Sequence, residues 1–107
     1  MKRFIVLFFF LMSSLSYAGE VHTNKKVKII HSGDHRNCFF FQLDGVSEAD
    51  PVKPNNPWFA VPFSKVSANN VMSILMAAKA SETPIKVSTT GAASCDGLAE
   101  VNNVQWL

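Results

Sequence analysis

The sequence has few of the residues that usually indicate chemistry in a small protein. Its two cysteines, Cys38 and Cys95, do not form a C-x-x-C redox motif, and two cysteines alone are too few for a structural zinc site. No nucleophile elbow or oxyanion loop accompanies the serines and histidines. No apolar run reaches the roughly 20 residues that span a bilayer as a helix. We therefore predict that the chain is not an enzyme and binds no cofactor.

The N-terminal segment has the order of a cleavable secretory signal peptide. Met1-Lys2-Arg3 is a basic start, and an uninterrupted apolar run follows from Phe4 to Met12. Ser16 and Ala18 then place small residues three and one before a cut that follows Ala18. This order predicts a cleaved signal peptide and a protein that is exported, either to the periplasm or out of the cell. A retained N-terminal anchor is the alternative.

The predicted mature chain, residues 19–107, has the length of a single domain and almost no net charge. Lys2 and Arg3 are two of the ten basic residues, so eight basic residues face eight acidic ones after the cut. A surface that binds the phosphate backbone of a nucleic acid needs an excess of basic residues. The composition therefore predicts no nucleic-acid partner and, once the signal is removed, no membrane span.

The two cysteines predict a disulfide between Cys38 and Cys95, because they are the only pair in a chain sent to an oxidising compartment. Free buried thiols and pairing between two chains are the alternatives. A domain of this size buries only about 60 to 65% of its unfolded surface, so its stability is marginal without a cross-link. Closing so long a loop stabilises the fold by about 4 kcal/mol in the chain-entropy model.

Alternating apolar residues predict five strands, and turn-forming residues separate them. In the first strand, Val27 and Ile29 are expected on one face, and in the last the pair Asn102-Asn103 is expected to mark a bulge. The predicted strands are Lys26 to His31, Cys38 to Asp44, Trp58 to Phe63, a segment in which Ile85, Val87 and Thr89 alternate, and Leu98 to Trp106. The loops are a turn at 32–37, a proline-rich stretch at 45–57 and a segment at 91–97.

One helix is predicted, from about Ala68 to Ala80, with Ser67 as its N-cap and Pro84 just beyond its end. Its core-facing residues are Val71, Ile74, Leu75 and Ala78. The resulting order is three strands, a helix and two strands. That order predicts an all-β protein with one helix, namely the five-stranded Greek-key barrel called the OB-fold.

Three groups of segments resemble small exported bacterial proteins related to the B subunit of subtilase cytotoxin. They are Trp58-Phe59-Ala60-Val61-Pro62-Phe63, then Leu75-Met76-Ala77-Ala78-Lys79-Ala80-Ser81 with Pro84-Ile85-Lys86-Val87, and His31-Ser32-Gly33 followed by Phe41-Gln42-Leu43-Asp44-Gly45. The resemblance covers most of the chain after Thr23. It implies an OB-fold subunit of a homo-oligomer, a pentamer in the toxin, that binds sialylated glycans on cells and carries a separate enzymatic chain.

The same resemblance implies a candidate sugar site. The toxin subunit contacts the sugar through a small hydroxyl residue just before its first strand, and this position corresponds to Thr23. Asn24 is expected to supply a further polar contact, and Phe40 or Trp58 an apolar platform. The cysteines of this chain are placed differently from those of the toxin subunit.

Other local patterns have plainer explanations. His31, Asp34 and His35 could ligate a metal from one turn, but turn-stabilising polarity explains them as well, so we predict no metal. The carboxylates of residues 44, 48 and 50 flank a loop and are expected to be solvated charges. Two functions remain: an exported, glycan-binding homo-oligomer, or a monomeric periplasmic protein with a structural or inhibitory role and no small-molecule site.

Overall fold

A computed structural model of the chain describes residues 19–33 and 37–107. The predicted signal peptide, residues 1–18, lies outside the described residues, and so does the middle of the predicted turn at 34–36. The described part is mostly β-sheet with one helix, which confirms the predicted class. Its elements are β1 Val21–Lys25, β2 Val27–Gly33, β3 Cys38–Leu43, β4 Phe59–Pro62, α1 Ala68–Ser81, β5 Ile85–Ser94 and β6 Leu98–Trp106.

The strands form a single sheet in the order β1-β5-β6-β4-β3-β2. Neighbouring strands are antiparallel except β4 and β6, which run parallel and pair Phe59 with Ala99 and Ala60 with Glu100. The strands at the two ends of this order, β1 and β2, are consecutive in sequence and are separated only by Lys26. One N-terminal stretch of chain therefore contributes to both ends of the sheet.

The sequence predicted one N-terminal strand that starts at Lys26, whereas the structure has two, β1 and β2. Pairing starts at Val21 because Val21, His22 and Lys25 pair with β5, and the register shifts between His22 and Lys25. A second shift follows Val27, which is why Val27 is 6% exposed and Ile29 is 38% exposed. The prediction that these two side chains share a face was wrong, because a bulge reverses the alternation.

The core lies on one face of the sheet and is covered by α1. The alternation predicted for three of the strands is confirmed, since Phe39, Phe41, Leu43, Phe59, Val61, Ile85, Val87 and Thr89 are all buried. The rings of Phe41 and Phe59 stack with centroids 4.9 Å apart on adjacent strands. The predicted strand extended to Phe63, but β4 ends at Pro62, and Phe63 is 47% exposed.

The helix begins at Ala68 and ends at Ser81, one residue beyond the predicted end. Val71, Leu75 and Ala78 are buried, while Ile74 is half-buried. Ser67 occupies the N-cap position, but its side chain makes no capping hydrogen bond, contrary to the prediction. Its backbone has a turn conformation (φ −93°, ψ 13°) instead of the extended one from which a serine caps.

The last two strands form a long hairpin. Residues 91–94, predicted as loop, continue β5 because Ala93 pairs with Ala99 and Ser94 with Leu98. The connection is thereby reduced to three residues, 95–97. Ser88 of β5 pairs with Asn103 of β6, and the next residue, Thr89, pairs with Val101. β6 therefore has one extra residue at this point, which confirms the predicted bulge.

Candidate functional site

A second, smaller apolar cluster lies on the face of the sheet opposite the core. Side chains alternate along a strand, so Phe40 points away from its buried neighbours Phe39 and Phe41. We call this group the outer aromatic cluster. It contains buried Cys38, Phe40, Ala60 and Leu98, with partly buried Trp58 and Cys95 packed against them.

Three rings of this face form a notch. Phe40 is its floor and is 4% exposed. The Trp58 ring stands nearly perpendicular to Phe40, with centroids 6.5 Å apart at 81°. The ring of His31, an exposed residue, lies 6.1 Å from Phe40 and 6.3 Å from Trp58. We call His31, Phe40 and Trp58 the aromatic notch; its two side walls, His31 and Trp58, reach solvent.

Trp58 is held by the proline-rich loop that precedes it. Its backbone N–H donates to Asn56 Oδ1 at 3.0 Å, and the carbonyl of Asn56 accepts from the N–H of Ala49 at 2.9 Å. Glu48 Oε2 accepts from the N–H of Asn55 at 3.1 Å, farther out in the same loop. These bonds close the loop on itself, so the tryptophan follows an ordered turn.

A buried carboxylate fastens this loop to the sheet. Asp50 is fully buried, and its Oδ2 accepts from the hydroxyl of Thr89 in β5, while Oδ1 accepts from the N–H of Val52 at 2.8 Å. The Thr89 hydroxyl oxygen in turn accepts from the N–H of Glu20 at 2.8 Å. One carboxylate and one hydroxyl therefore join the loop, β5 and the residue before β1. The sequence placed Asp50 among solvated loop charges, which the burial contradicts.

A histidine supports the same loop from the core side. His22 Nε2 lies 2.8 Å from the carbonyl oxygen of Ala49, and its ring packs edge-on against Phe59 with centroids 5.4 Å apart. The loop is thus fixed at two consecutive residues, Ala49 and Asp50, before it reaches Trp58. Both of these residues are fully buried.

A polar cleft of about 410 Å³ adjoins the aromatic notch. Gln42 lies two residues after Phe40 on β3, so its side chain continues the face that carries Phe40, beyond the last pair of the β3–β4 ladder. The cleft is lined by Lys28, Gln42, Leu43, Gly45, Val46, Ser47 and Pro57. Pro57 immediately precedes Trp58. The apolar notch therefore passes into a surface that offers amide, hydroxyl and ammonium groups.

The predicted disulfide is present between Cys38 and Cys95, which are 57 residues apart in sequence. It joins the start of β3 to the turn between β5 and β6. Cys38 is 3% exposed, whereas Cys95 is half-buried, with its sulfur 3.7 Å from the hydroxyl of Ser94. The disulfide thus belongs to the outer aromatic cluster and cross-links two of the elements that border the notch.

The four sugar-site residues named from sequence fall into two groups. Phe40 and Trp58 come together in the notch, where Phe40 is covered and Trp58 keeps part of its surface free. Thr23 and Asn24 are exposed on β1, and Asn24 has a left-handed backbone (φ 62°) in the bulge. Thr23 was expected just before the first strand, but it lies within β1 because pairing with β5 extends that strand.

Sequence reasoning missed two residues of this face. His31 was considered only as a metal ligand, although its place opposite Phe40 in the β2–β3 pair puts it beside the aromatic cluster. Gln42 was given no role in the candidate site. The available signal was the pairing of two short strands across one turn, which fixes cross-strand neighbours once the register is known.

The other candidate chemistries find less support in the described residues. Residues 19–33 and 37–107 contain no group of three His, Cys, Asp or Glu side chains arranged to hold a metal ion, and Asp34 and His35 lie outside the described residues. Two of the loop carboxylates have partners within the fold: Asp50 accepts from Thr89, and Glu48 accepts from the loop backbone. No helix in the same described residues is long and apolar enough to cross a bilayer.

A separate apolar groove of about 480 Å³ runs between α1 and β2. Ile30, Ser32, Met72, Met76, Lys79 and Ala80 line it. Met72 is half-buried and packs against the core, but Met76 is 58% exposed. The two methionines of this groove therefore divide between the core and the surface.

Comparison of the chain with protein-family models gives no match, and comparison with the curated proteins and with the solved structures gives no significant match.

Proposed function

We propose that the sheet is an OB-fold barrel in which β1 and β2 together act as the first strand. Three features support this proposal. The helix lies between the third and fourth strands on that count, the third and fifth strands pair in parallel, and the two ends of the strand order are joined by one residue, Lys26. An OB-fold binds oligosaccharides or oligonucleotides on the face of its second and third strands and on nearby loops.

The function that this arrangement supports best is an exported, non-catalytic module that binds an oligosaccharide. The single observation that carries the proposal is the aromatic notch of His31, Phe40 and Trp58 on the outer face of β3 and β4. These strands are the second and third of the proposed barrel. The balanced charge of residues 19–107 favours a sugar over a nucleic-acid ligand, because phosphate binding needs a basic excess.

The ligand lies along β3 and spans the notch and the polar cleft. Sugar rings have an apolar face of C–H groups, which packs on the accessible part of the Trp58 ring. Binding sites of this kind combine aromatic walls with a few polar groups that fix orientation. Gln42 and Ser47 line the cleft next to the tryptophan, and their side chains bond the hydroxyls of a second sugar ring. Two or more linked rings are therefore needed to fill the site.

The resemblance to toxin B subunits adds two further proposals. One is a polar subsite at Thr23 and Asn24 on β1, which both reach solvent. The other is assembly into a homo-oligomer that could carry a separate enzymatic chain, as those toxin subunits do.

A glycan array tests the proposal directly, with the exported and oxidised protein as the probe. We expect oligosaccharides to be retained, and we expect Trp58→Ala to abolish retention. Thr23→Val is the matched variant for the β1 subsite, and Met76→Ala is the control for a surface change elsewhere. Retention that depends on Thr23 but not on Trp58 would move the site to β1. An array with no retained glycan would refute oligosaccharide binding and favour the monomeric structural or inhibitory role.

A further inference from the structure

The turn between β5 and β6 has an uncommon backbone. Its three residues all have positive φ, with Cys95 at 57°, Asp96 at 72° and Gly97 at 87°. Only the last of the three is a glycine, which adopts this left-handed conformation freely. Residues with a side chain rarely adopt it, apart from a few short polar ones. Residues held this way persist only where the surrounding structure constrains them. Here the constraint includes the covalent bond from Cys95 to Cys38.

The same bond forms part of the notch support. Cys38 is the first residue of β3, and Phe40, the notch floor, is two residues farther along the same face. Cys95 packs against the same cluster, which also contains Leu98. The disulfide therefore joins a strained turn to the strand that presents Phe40. Within the described residues it is the only disulfide, so no other side-chain bond ties this turn to β3 covalently.

We propose that the Cys38–Cys95 disulfide is a redox-sensitive lock on the aromatic notch. In the oxidised protein the bond holds the β5–β6 turn against β3 and keeps the outer cluster packed. When a dithiol reductant opens the bond, the turn relaxes out of its left-handed conformation, and Leu98 and Trp58 lose their packing. The notch then opens while the core on the other face remains. The part of this inference that concerns ligand release depends on the proposed oligosaccharide site.

Accessibility fixes the order of the exchange. Cys95 is a half-buried residue, whereas Cys38 is only 3% exposed. The reductant's thiolate therefore attacks the sulfur of Cys95 and not that of Cys38. A mixed disulfide forms on Cys95, and Cys38 leaves as a thiolate that takes up a proton. The second thiol of the reductant then closes onto the first, which releases Cys95 as the second thiolate. The protein gains two electrons and two protons, and the dithiol becomes a cyclic disulfide.

Tryptophan emission tests the lock without any ligand. The chain has two tryptophans, so in a Trp106→Phe background the emission comes from Trp58 alone. We expect dithiothreitol to shift this emission to longer wavelength while far-UV circular dichroism keeps its β-sheet signal. The double variant Cys38→Ala/Cys95→Ala should show the shifted emission from the start and should not respond to the reductant. An unchanged Trp58 emission on reduction would overturn the proposal.

Two further outcomes separate the lock from its alternatives. If the far-UV signal is lost together with the emission, the disulfide holds the whole domain and the proposal of a local lock is wrong. For a glycan that the oxidised protein retains, we expect reduction to weaken binding at least about tenfold, equivalent to about 1.4 kcal/mol. Absence of glycan binding by the oxidised protein would refute the proposed function alone, because the emission measurement still decides whether the lock exists.

Discussion

Asp50 is the residue whose replacement should reveal most about how the binding loop is held. It is fully buried and accepts hydrogen bonds from the Thr89 hydroxyl and the Val52 N–H. Asp50→Ala removes both acceptor oxygens, so the buried Thr89 hydroxyl and the part-buried N–H of Val52 lose their acceptor. A hydrogen bond to a charged group contributes about 1.5–3 kcal/mol, so we expect a loss of about 3–5 kcal/mol in the free energy of unfolding.

Thermal and chemical unfolding measure this loss. For a domain of this size, about 3 kcal/mol corresponds to a fall in Tm of about 12–24 °C. Asp50→Asn should lower the free energy of unfolding less than Asp50→Ala does, because the amide oxygen can still accept from the N–H of Val52. Only the bond from the Thr89 hydroxyl is lost, since an NH2 group cannot accept it. Glu48→Ala is the matched control in the same loop. Its carboxylate makes one exposed bond, to the N–H of Asn55, and we expect its removal to cost less than about 1 kcal/mol.

A double-mutant cycle of Asp50→Asn with Thr89→Val locates the effect. We expect a coupling free energy of about 1–3 kcal/mol, because both variants break the same bond between the loop and β5. A loss below about 1 kcal/mol for Asp50→Ala, or additive effects in the cycle, would refute the view that this carboxylate fastens the loop that holds Trp58.

Two further predictions concern packing. Leu75→Ala should lower the free energy of unfolding in urea by about 2–5 kcal/mol, because Leu75 is fully buried. Met76→Ala, one position away and 58% exposed, should lower it by less than about 1 kcal/mol. Equal losses would contradict the assignment of the helix faces. Gly19→Ala should lower Tm because its Cβ would lie 2.0 Å from the carbonyl oxygen of Thr89, in a backbone with φ +95°. An unchanged Tm would show that this approach is not needed for stability.

The sequence predicted the fold where local periodicity governs it. Strand alternation grouped Phe39 with Phe41 and Ile85 with Val87 correctly, and all four are buried in the core. The disulfide was predictable because only one pair of cysteines exists. The helix core residues followed from spacing, although its expected serine cap makes no hydrogen bond.

The misses come from long-range pairing, which no local pattern contains. The strand at Val21 exists because β5 pairs with it, and the two bulges in the N-terminal strand depend on that pairing and on the pairing with β3. Asp50 was assigned to solvent because its partner, Thr89, is 39 residues away. The notch was foreseen only in part, since Phe40 and Trp58 were named as a platform but His31 joins them only through strand register.

The most direct test of the proposed binding site is NMR chemical-shift mapping of the oxidised protein with an oligosaccharide that the array retains. The account predicts that the largest amide shifts fall at His31, Phe40, Gln42 and Trp58, with little change in α1. Shifts confined to Thr23 and Asn24 on β1, or to the Met76 face of the helix, would contradict the assignment of the notch as the ligand site.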